Sequence, residues 1–391
     1  MEFKGLTIGI PREIMDHEKR VAAMPETVKK LVDEGARVII EKDAGVGSFF
    51  TDSMYKEAGA EIVEDPERIY QTSDILMKVK EPIFNKDKNK SEVSMMKKGM
   101  VLVSFLHPAS PVNHQMVQEL ARQGVIGLTL DGIPRITKAQ PMDALTSMST
   151  VAGYKGVLLA ADHLNRFLPM ISTAVGPIQP SQVFVIGTGV AGLQALATAK
   201  RLGASVFACD IRPEAAEHAK SLGAKIVDPQ VPAEKAIGEG GYAKALPEDV
   251  IAGEREALRE TILKSDIIIL SALVPGRLAP ILVTEEMVRQ MKPGSVIVDI
   301  SIDQGGNCAL TEFGETVVKH GVTIIGIKNI PGAMATSSTW MFAKNIYNFV
   351  CHFVKGGKIN IDVNDEIIKS ALVTIDGKLV HKGALEAIGA K

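Results

Sequence analysis

Residues Val183–Pro213 read VFVIGTGVAGLQALATAKRLGASVFACDIRP. The run VFVI has the β-branched and aromatic character of a buried strand. It leads into Gly187, Gly189 and Gly192, the spacing G-x-G-x-x-G, and then into a helical pattern. In that spacing the first glycine permits a tight turn, and the second lets the main chain approach a pyrophosphate. The third lets the helix pack closely on the strand, with the pyrophosphate resting on free N–H groups at the helix N-terminus. Glycines alone are weak evidence. Here a second strand, SVFACD, follows and ends in Asp210, about 20 residues on, where a carboxylate can hold a ribose hydroxyl. Asp210 favours a nucleotide with a free 2′-hydroxyl, NAD(H) over NADP(H). Arg212 beside it is a residue type that accepts a 2′-phosphate.

Outward from this stretch, short apolar runs alternate with helical patterns almost throughout. GLTIGI, ARVIIEKDAG, DILMKVKEP, MVLVSFLHPA and VIGLTLDGI precede it, with helices expected at about Pro25 to Glu34 and over VNHQMVQELARQG. SDIIILSALVPG, GSVIVDISID and GVTIIGIKNIPG follow it. This βαβ rhythm implies an α/β fold of two doubly wound, Rossmann-like domains with mostly parallel sheets. The expected first domain is residues 1–145, completed by 334–391 as the chain returns through the helical stretch STWMFAKNIYNFVCHFV. The expected nucleotide domain is 146–333, entered through a long helix at about 146–168. The stretch 229–256, rich in Gly, Pro and charge, breaks the rhythm between the second and third strands of that domain. A connection of that length is expected to be functional or unstructured.

Composition narrows the function. The 391 residues are 46% hydrophobic and 23% charged, with a net charge of -2, so neither nucleic acid nor an anionic membrane is an expected partner. Three scattered cysteines, Cys209, Cys308 and Cys351, form no zinc spacing and no disulfide framework, and no metal site is expected. No run approaches the roughly 18 apolar residues of a spanning helix, and the N-terminus does not read as a signal peptide.

Several stretches carry groups capable of chemistry. They are Arg20 in HEKRVA, Lys78 and Lys80 in LMKVKEP, His107 in VSFLHPAS, and Asp299 and Asp303 in VDISIDQGGN. Each lies at a strand end or in the following loop, where ligands gather in open α/β sheets. Arg20 and Lys80 can fix a carboxylate, and His107 can exchange a proton with an amine or hydroxyl. Against this, a strand-end lysine is often a solvated edge residue and a lone histidine often structural. The loop IPRITKAQPMDALTSMS adds Arg135, Gln140 and Asp143 just before the long helix. Such a set can order a nicotinamide ribose or dock a partner, and its acid can equally cap the helix.

The pieces RVAAMPETVKKL, PRITKAQPMDALTSMSTVAGY, VIGTGVAGLQALATAKRLGA, MKPGSVIVDIS and GGNCALTEFGETVVKHGV resemble the NAD(H)-binding domain of proton-translocating nicotinamide nucleotide transhydrogenase. The resemblance covers nearly the whole chain and is to the separate alpha-type subunit; alanine dehydrogenase shares the fold. It implies Re/Si-specific transfer of hydride from NADH to NADP+ on a partner subunit. NAD(H) would contact Gly187, Gly189, Val190, Gly192, Asp210, Ile211, Arg212, Leu273 and Asn329. Arg135, Gln140 and Asp143 match the loop that contacts the nicotinamide and approaches the partner, although Thr146 stands where serine is more usual. Tyr242 lies in what looks like the mobile loop that closes over the nucleotide. Implied partners are an NADP(H)-binding subunit and a membrane-spanning proton-channel subunit. Also implied are a homodimer and a cytoplasmic location at the inner membrane, held there through those subunits. At Thr150 an alanine dehydrogenase would usually carry glutamate. Conversely, Arg20, Lys80, His107 and Asp303 look like the alanine dehydrogenase active site, in which arginine and lysine hold the substrate carboxylate. Transhydrogenase domains usually lose the lysine, histidine or aspartate.

Overall fold

A computed structural model describes residues 1–237, 243–274 and 278–389. Two compact units divide them: Met1–Met148 with Pro331–Lys391, and Ser149–Ile330. Each is an α/β unit built on a mostly parallel sheet.

In the second unit the strand order is Lys225–Ile226, Ser205–Cys209, Gln182–Ile186, Ile267–Leu270, Val296–Asp299, Val322–Ile325, Thr316–Lys319. Only the last is antiparallel to its neighbour. The central strands are apolar throughout because both faces are covered, as parallel sheets require. Alternation along each strand sorts their side chains. Val183, Val185, Ile267, Ile269, Val296 and Val298 enter one core. Phe184, Ile186, Ile268, Leu270 and Ile297 enter the other. The order reverses between Gln182–Ile186 and Ile267–Leu270, and the crevice at such a switch point is where α/β sheets hold ligands.

The insertion differs from its sequence reading. The two-residue strand Lys225–Ile226 precedes it, so it joins the third strand to the fourth. Its last third is already helix, Glu248–Lys264. Pro247 sets the entry, and Glu248 and Asp249 place negative charge on the first turn, which favours a helix start.

The first unit carries an eight-stranded sheet. Its parallel part runs Ile126–Thr129, Val101–Ser104, Ile75–Met77, Thr7–Ile10, Arg37–Glu41, Glu61–Val63. Beyond Ile126–Thr129 the hairpin Leu372–Ile375 with Lys378–Leu379 adds two antiparallel strands. The helix Ala335–Phe353 belongs to this unit and buries Phe342, Ile346, Phe349 and Phe353. Among the described residues no helix is long and apolar enough to cross a membrane.

Candidate functional site

The glycine turn takes the form that the motif anticipates. Gly187 has φ +88°, the left-handed region that glycine enters without cost. A Cβ on Gly187 would lie 2.7 Å from the Ala272 nitrogen, and one on Gly192 only 1.9 Å from the Gly187 carbonyl oxygen. A Cβ on Gly189 would meet nothing within 4 Å. Two glycines thus serve internal packing, and the third faces open space, as a turn that receives a ligand would. Val190 and Ala191 open the helix Val190–Arg201, so their N–H groups precede any intrahelical acceptor. Gly153, on the long helix Ala144–His163, allows that helix to lie against the Ala191 carbonyl.

Asp210 immediately follows the neighbouring strand Ser205–Cys209 and is 8% exposed. Its Oδ2 accepts the Thr188 N–H at 2.7 Å, tying the carboxylate to the turn. Arg212 grips it twice, Nε to Oδ1 at 2.9 Å and Nη2 to Oδ2 at 2.8 Å. Ile211 lies between them, half-buried. Leu273 follows the strand Ile267–Leu270 and is 38% exposed. Asn329 follows Val322–Ile325 in a left-handed conformation, φ +52°. These cofactor candidates stand at the carboxyl ends of four strands, three of them neighbours and the fourth, Val322–Ile325, one strand further on.

Behind Asp210 lies a group that sequence reasoning missed, Glu254, 5% exposed on the helix Glu248–Lys264. Burial, then the Asp210 charge, push its carboxyl up to about 7, against the pull of Arg255. A carboxyl that titrates higher in the fold than its ordinary 4.5 supports the fold below that value. The support is lost as pH rises towards 7. Glu254→Gln is therefore expected to match the wild type in urea unfolding at pH 4.5, and to gain up to about 3 kcal/mol by pH 8. A gain independent of pH would sink this assignment.

In the first unit Arg135 and Gln140 are exposed on the segment before the long helix. Asp143 accepts the Thr146 N–H at 2.8 Å and its hydroxyl at 2.6 Å, the geometry of an N-cap. Tyr242 lies outside the described residues.

The residues of the other candidate pocket divide between the units. Arg20 is 3% exposed; its Nε donates to Glu18 Oε1 at 2.8 Å and its Nη1 lies 3.0 Å from the Met148 sulfur. It borders a cleft of about 190 Å³ with Arg12, Glu13, Glu18 and Lys19. His107 has φ +43°, a costly conformation for a non-glycine residue. Asp131 holds it there, accepting the His107 N–H at 2.8 Å on Oδ2 and Nδ1 at 2.7 Å on Oδ1. Desolvation opposes charge on the ring, but Asp131 outweighs it and raises the imidazole above its ordinary value. Burial likewise works against the Asp131 charge, yet His107 and its hydrogen bonds bring that carboxyl down to about 2. With Nδ1 committed, Nε2 is the atom left for proton exchange. Lys80 is half-buried. Lys78 is 1% exposed and bonded to Glu92 at 2.8 Å, which makes it an internal cation. Asp303 is exposed in the second unit, whereas Asp299 is wholly buried. Among the described residues no group of His, Cys, Asp or Glu is placed to hold a metal ion.

The chain matches known proteins along its length. Residues 9–152 match the N-terminal domain of alanine dehydrogenase/PNT, and residues 156–382 the C-terminal domain. It is 43% identical over 379 residues to the first of the separate parts of the NAD(P) transhydrogenase alpha subunit of Rhodospirillum rubrum, covering 96% of this chain and 98% of that one. It is 33% identical to alanine dehydrogenase of Staphylococcus haemolyticus over 98% of this chain and 96% of that one. The solved transhydrogenase from Sinorhizobium meliloti superposes with a TM-score of 0.83 at 37% identity, covering 96% of this chain and all of that one. The chain belongs to the alanine dehydrogenase/PNT family of pyridine-nucleotide oxidoreductases.

Proposed function

We propose that the chain is the NAD(H)-binding subunit of a proton-translocating NAD(P) transhydrogenase, handing a hydride from NADH to NADP+ on a partner subunit. The observation that carries this reading is its 43% identity, across 98% of the relative, to a protein named as one portion of a divided subunit. The Gly187–Gly192 turn and the N–H groups of Val190 and Ala191 hold the pyrophosphate. Asp210 takes the adenosine ribose, whose hydroxyl replaces a bond that Arg212 now makes. Val190, Ile211, Leu273 and Asn329 flank the nucleotide. Its nicotinamide supplies the hydride. Arg135 and Gln140 order that ring and meet the partner, and Asp143 sets the start of the helix behind them. Tyr242 closes over the nucleotide and excludes water. Direct transfer requires reacting atoms about 3–3.5 Å apart, so a small displacement of the Arg135–Asp143 segment slows it. Proton translocation falls to a membrane-spanning partner, which holds this chain at the cytoplasmic face of the inner membrane. A homodimer is also part of the reading. It is supported by the hairpin Ile171–Thr173 with Gly176–Ile178, near which Val175 is 96% and Met170 60% exposed.

His107, oriented by Asp131, favours a second reading, an NAD-dependent alanine dehydrogenase in which Arg20 and Lys80 clamp the carboxylate and Asp303 assists. One experiment separates the two. The purified chain is assayed for NAD+-dependent alanine oxidation, then mixed with an NADP(H)-binding partner and followed for transfer to an NADP+ analogue. We expect transfer only with the partner, and a loss of about 10- to 100-fold on Gln140→Ala with unchanged melting. Alanine turnover that is fast and indifferent to the partner would overturn the first reading.

A further inference from the structure

The strand Val296–Asp299 ends in a carboxylate with no exposed surface. Asp299 Oδ2 accepts the N–H groups of Asn307 at 2.8 Å and Cys308 at 3.0 Å, and the Thr311 hydroxyl at 2.9 Å. These bonds fold the following segment back over the strand end and set Asn307, itself fully buried, beside Ala272.

Every hydrogen-bonding direction of the Asn307 amide is used. Its Oδ1 accepts the Ala272 N–H at 3.0 Å and the Ser301 hydroxyl at 2.7 Å. Its Nδ2 donates to the carbonyls of Ala272 at 2.9 Å and Pro280 at 2.8 Å. Two donors on one side and two acceptors on the other leave a single orientation of the amide. The side chain therefore pairs with the N–H and C=O of Ala272 as a neighbouring strand would. Meanwhile the Asn307 carbonyl accepts Leu282 N–H at 2.8 Å and Val283 N–H at 3.0 Å.

Ala272 is in turn a wall of the glycine turn. Its nitrogen lies where a Gly187 Cβ would point, and the adjacent Ser271 hydroxyl donates to the Gly187 carbonyl at 2.7 Å. We propose that Asn307 is a positioning residue of the nucleotide site. Through Ala272 it fixes the backbone that faces the Gly187 turn on the side away from Asp210. The proposal rests on the nucleotide reading above. With the adenosine ribose at Asp210, the rest of the dinucleotide crosses the switch point towards the Ile267–Leu270 strand, so Asn307 governs the nicotinamide half.

The test measures binding of NADH and of 5′-AMP to the full chain by calorimetry. Asn307→Ala is expected to raise the NADH Kd about tenfold or more while the 5′-AMP Kd stays within about twofold. A general loss of structure would move both. Ser301→Ala removes one of the four side-chain bonds and is expected to raise the NADH Kd about threefold, again sparing 5′-AMP. Should Asn307→Ala fail to fold, Ser301→Ala decides. NADH affinity unchanged in the folded variants overturns the positioning role. If the wild-type chain itself binds neither NADH nor 5′-AMP, the nucleotide reading falls and takes the proposal with it, a result distinct from wild-type binding with unaffected variants.

Discussion

Gly189→Val is expected to weaken NADH binding by roughly 100-fold or more while leaving the fold intact. The three glycines of the turn are not equivalent. Gly192 cannot carry a Cβ, which would sit 1.9 Å from a main-chain oxygen, and Gly187 combines φ +88° with a backbone neighbour at 2.7 Å. Substitution at either breaks the turn itself. Gly189 has φ -69° and ψ -165°, ordinary extended backbone, and nothing within 4 Å of its Cβ position. A side chain there leaves from open space, with no strain at its Cβ, and intrudes on what the turn receives. Charge-assisted hydrogen bonds are worth about 1.5–3 kcal/mol each, so losing two of them weakens binding by roughly 100-fold or more. Thermal unfolding should shift by no more than about 2 °C. Gly192→Val, by contrast, should lose binding and stability together. Wild-type affinity in Gly189→Val would show that no pyrophosphate rests on this turn.

Lys78→Met is expected to destabilise the first unit by about 3–5 kcal/mol. The Lys78 ammonium lies 2.8 Å from Glu92 Oε1 and 3.4 Å from Glu13 Oε2, and all three side chains are nearly inaccessible. Tyr70 donates to the same Glu92 oxygen, and Glu92 Oε2 accepts the Ile83 N–H. Glu13 accepts the Val79 N–H at 2.6 Å. Methionine matches the length of the lysine but leaves two carboxylates facing each other without a cation. Burial already pushes Glu13 up to about 7, with Lys78 as the largest force pulling it down. Raised acids lose support as pH climbs through their folded value, so the variant should be hurt more at pH 8 than at pH 5. Urea midpoints at the two pH values check this, and Glu92→Gln in the Lys78→Met background should recover some of the loss. A midpoint unmoved by Lys78→Met would show that the lysine does not hold this knot.

Lys78 and Lys80 illustrate what a sequence can and cannot disclose. Alternation along LMKVKEP sends them to the same side of an extended chain. Which of them meets buried carboxylates depends on Glu13 and Glu92, remote in sequence. The same limit hides Asp131 behind His107, and Asn307 behind the appearance of an ordinary loop residue. The central strands were legible because burial on both faces writes a continuous apolar run, as in Ile267–Leu270. The edge strand Lys225–Ile226 is two exposed residues and writes no pattern. The hairpin near Leu372–Ile375 carries a turn signal in Asp376-Gly377, but its place beside Ile126–Thr129 is a pairing across some 247 positions. The backbone form of the glycine turn is local in sequence and was readable, but the Ser271–Ala272 wall against it comes from a remote strand end and was not.

The discontinuous first unit bears on how the chain is made. Its parallel strands end at Ile126–Thr129, whose open side is covered by Leu372–Ile375. There Thr374 accepts the Gly127 N–H at 2.9 Å and donates to the Val125 carbonyl at 2.8 Å. On the ribosome the second unit is synthesised in full before that covering strand emerges. Until then the nascent chain carries an unpaired β edge, the kind of surface that recruits other chains. A premature stop after residue 370 would therefore injure the half of the protein made first, and chaperone demand should peak late in translation.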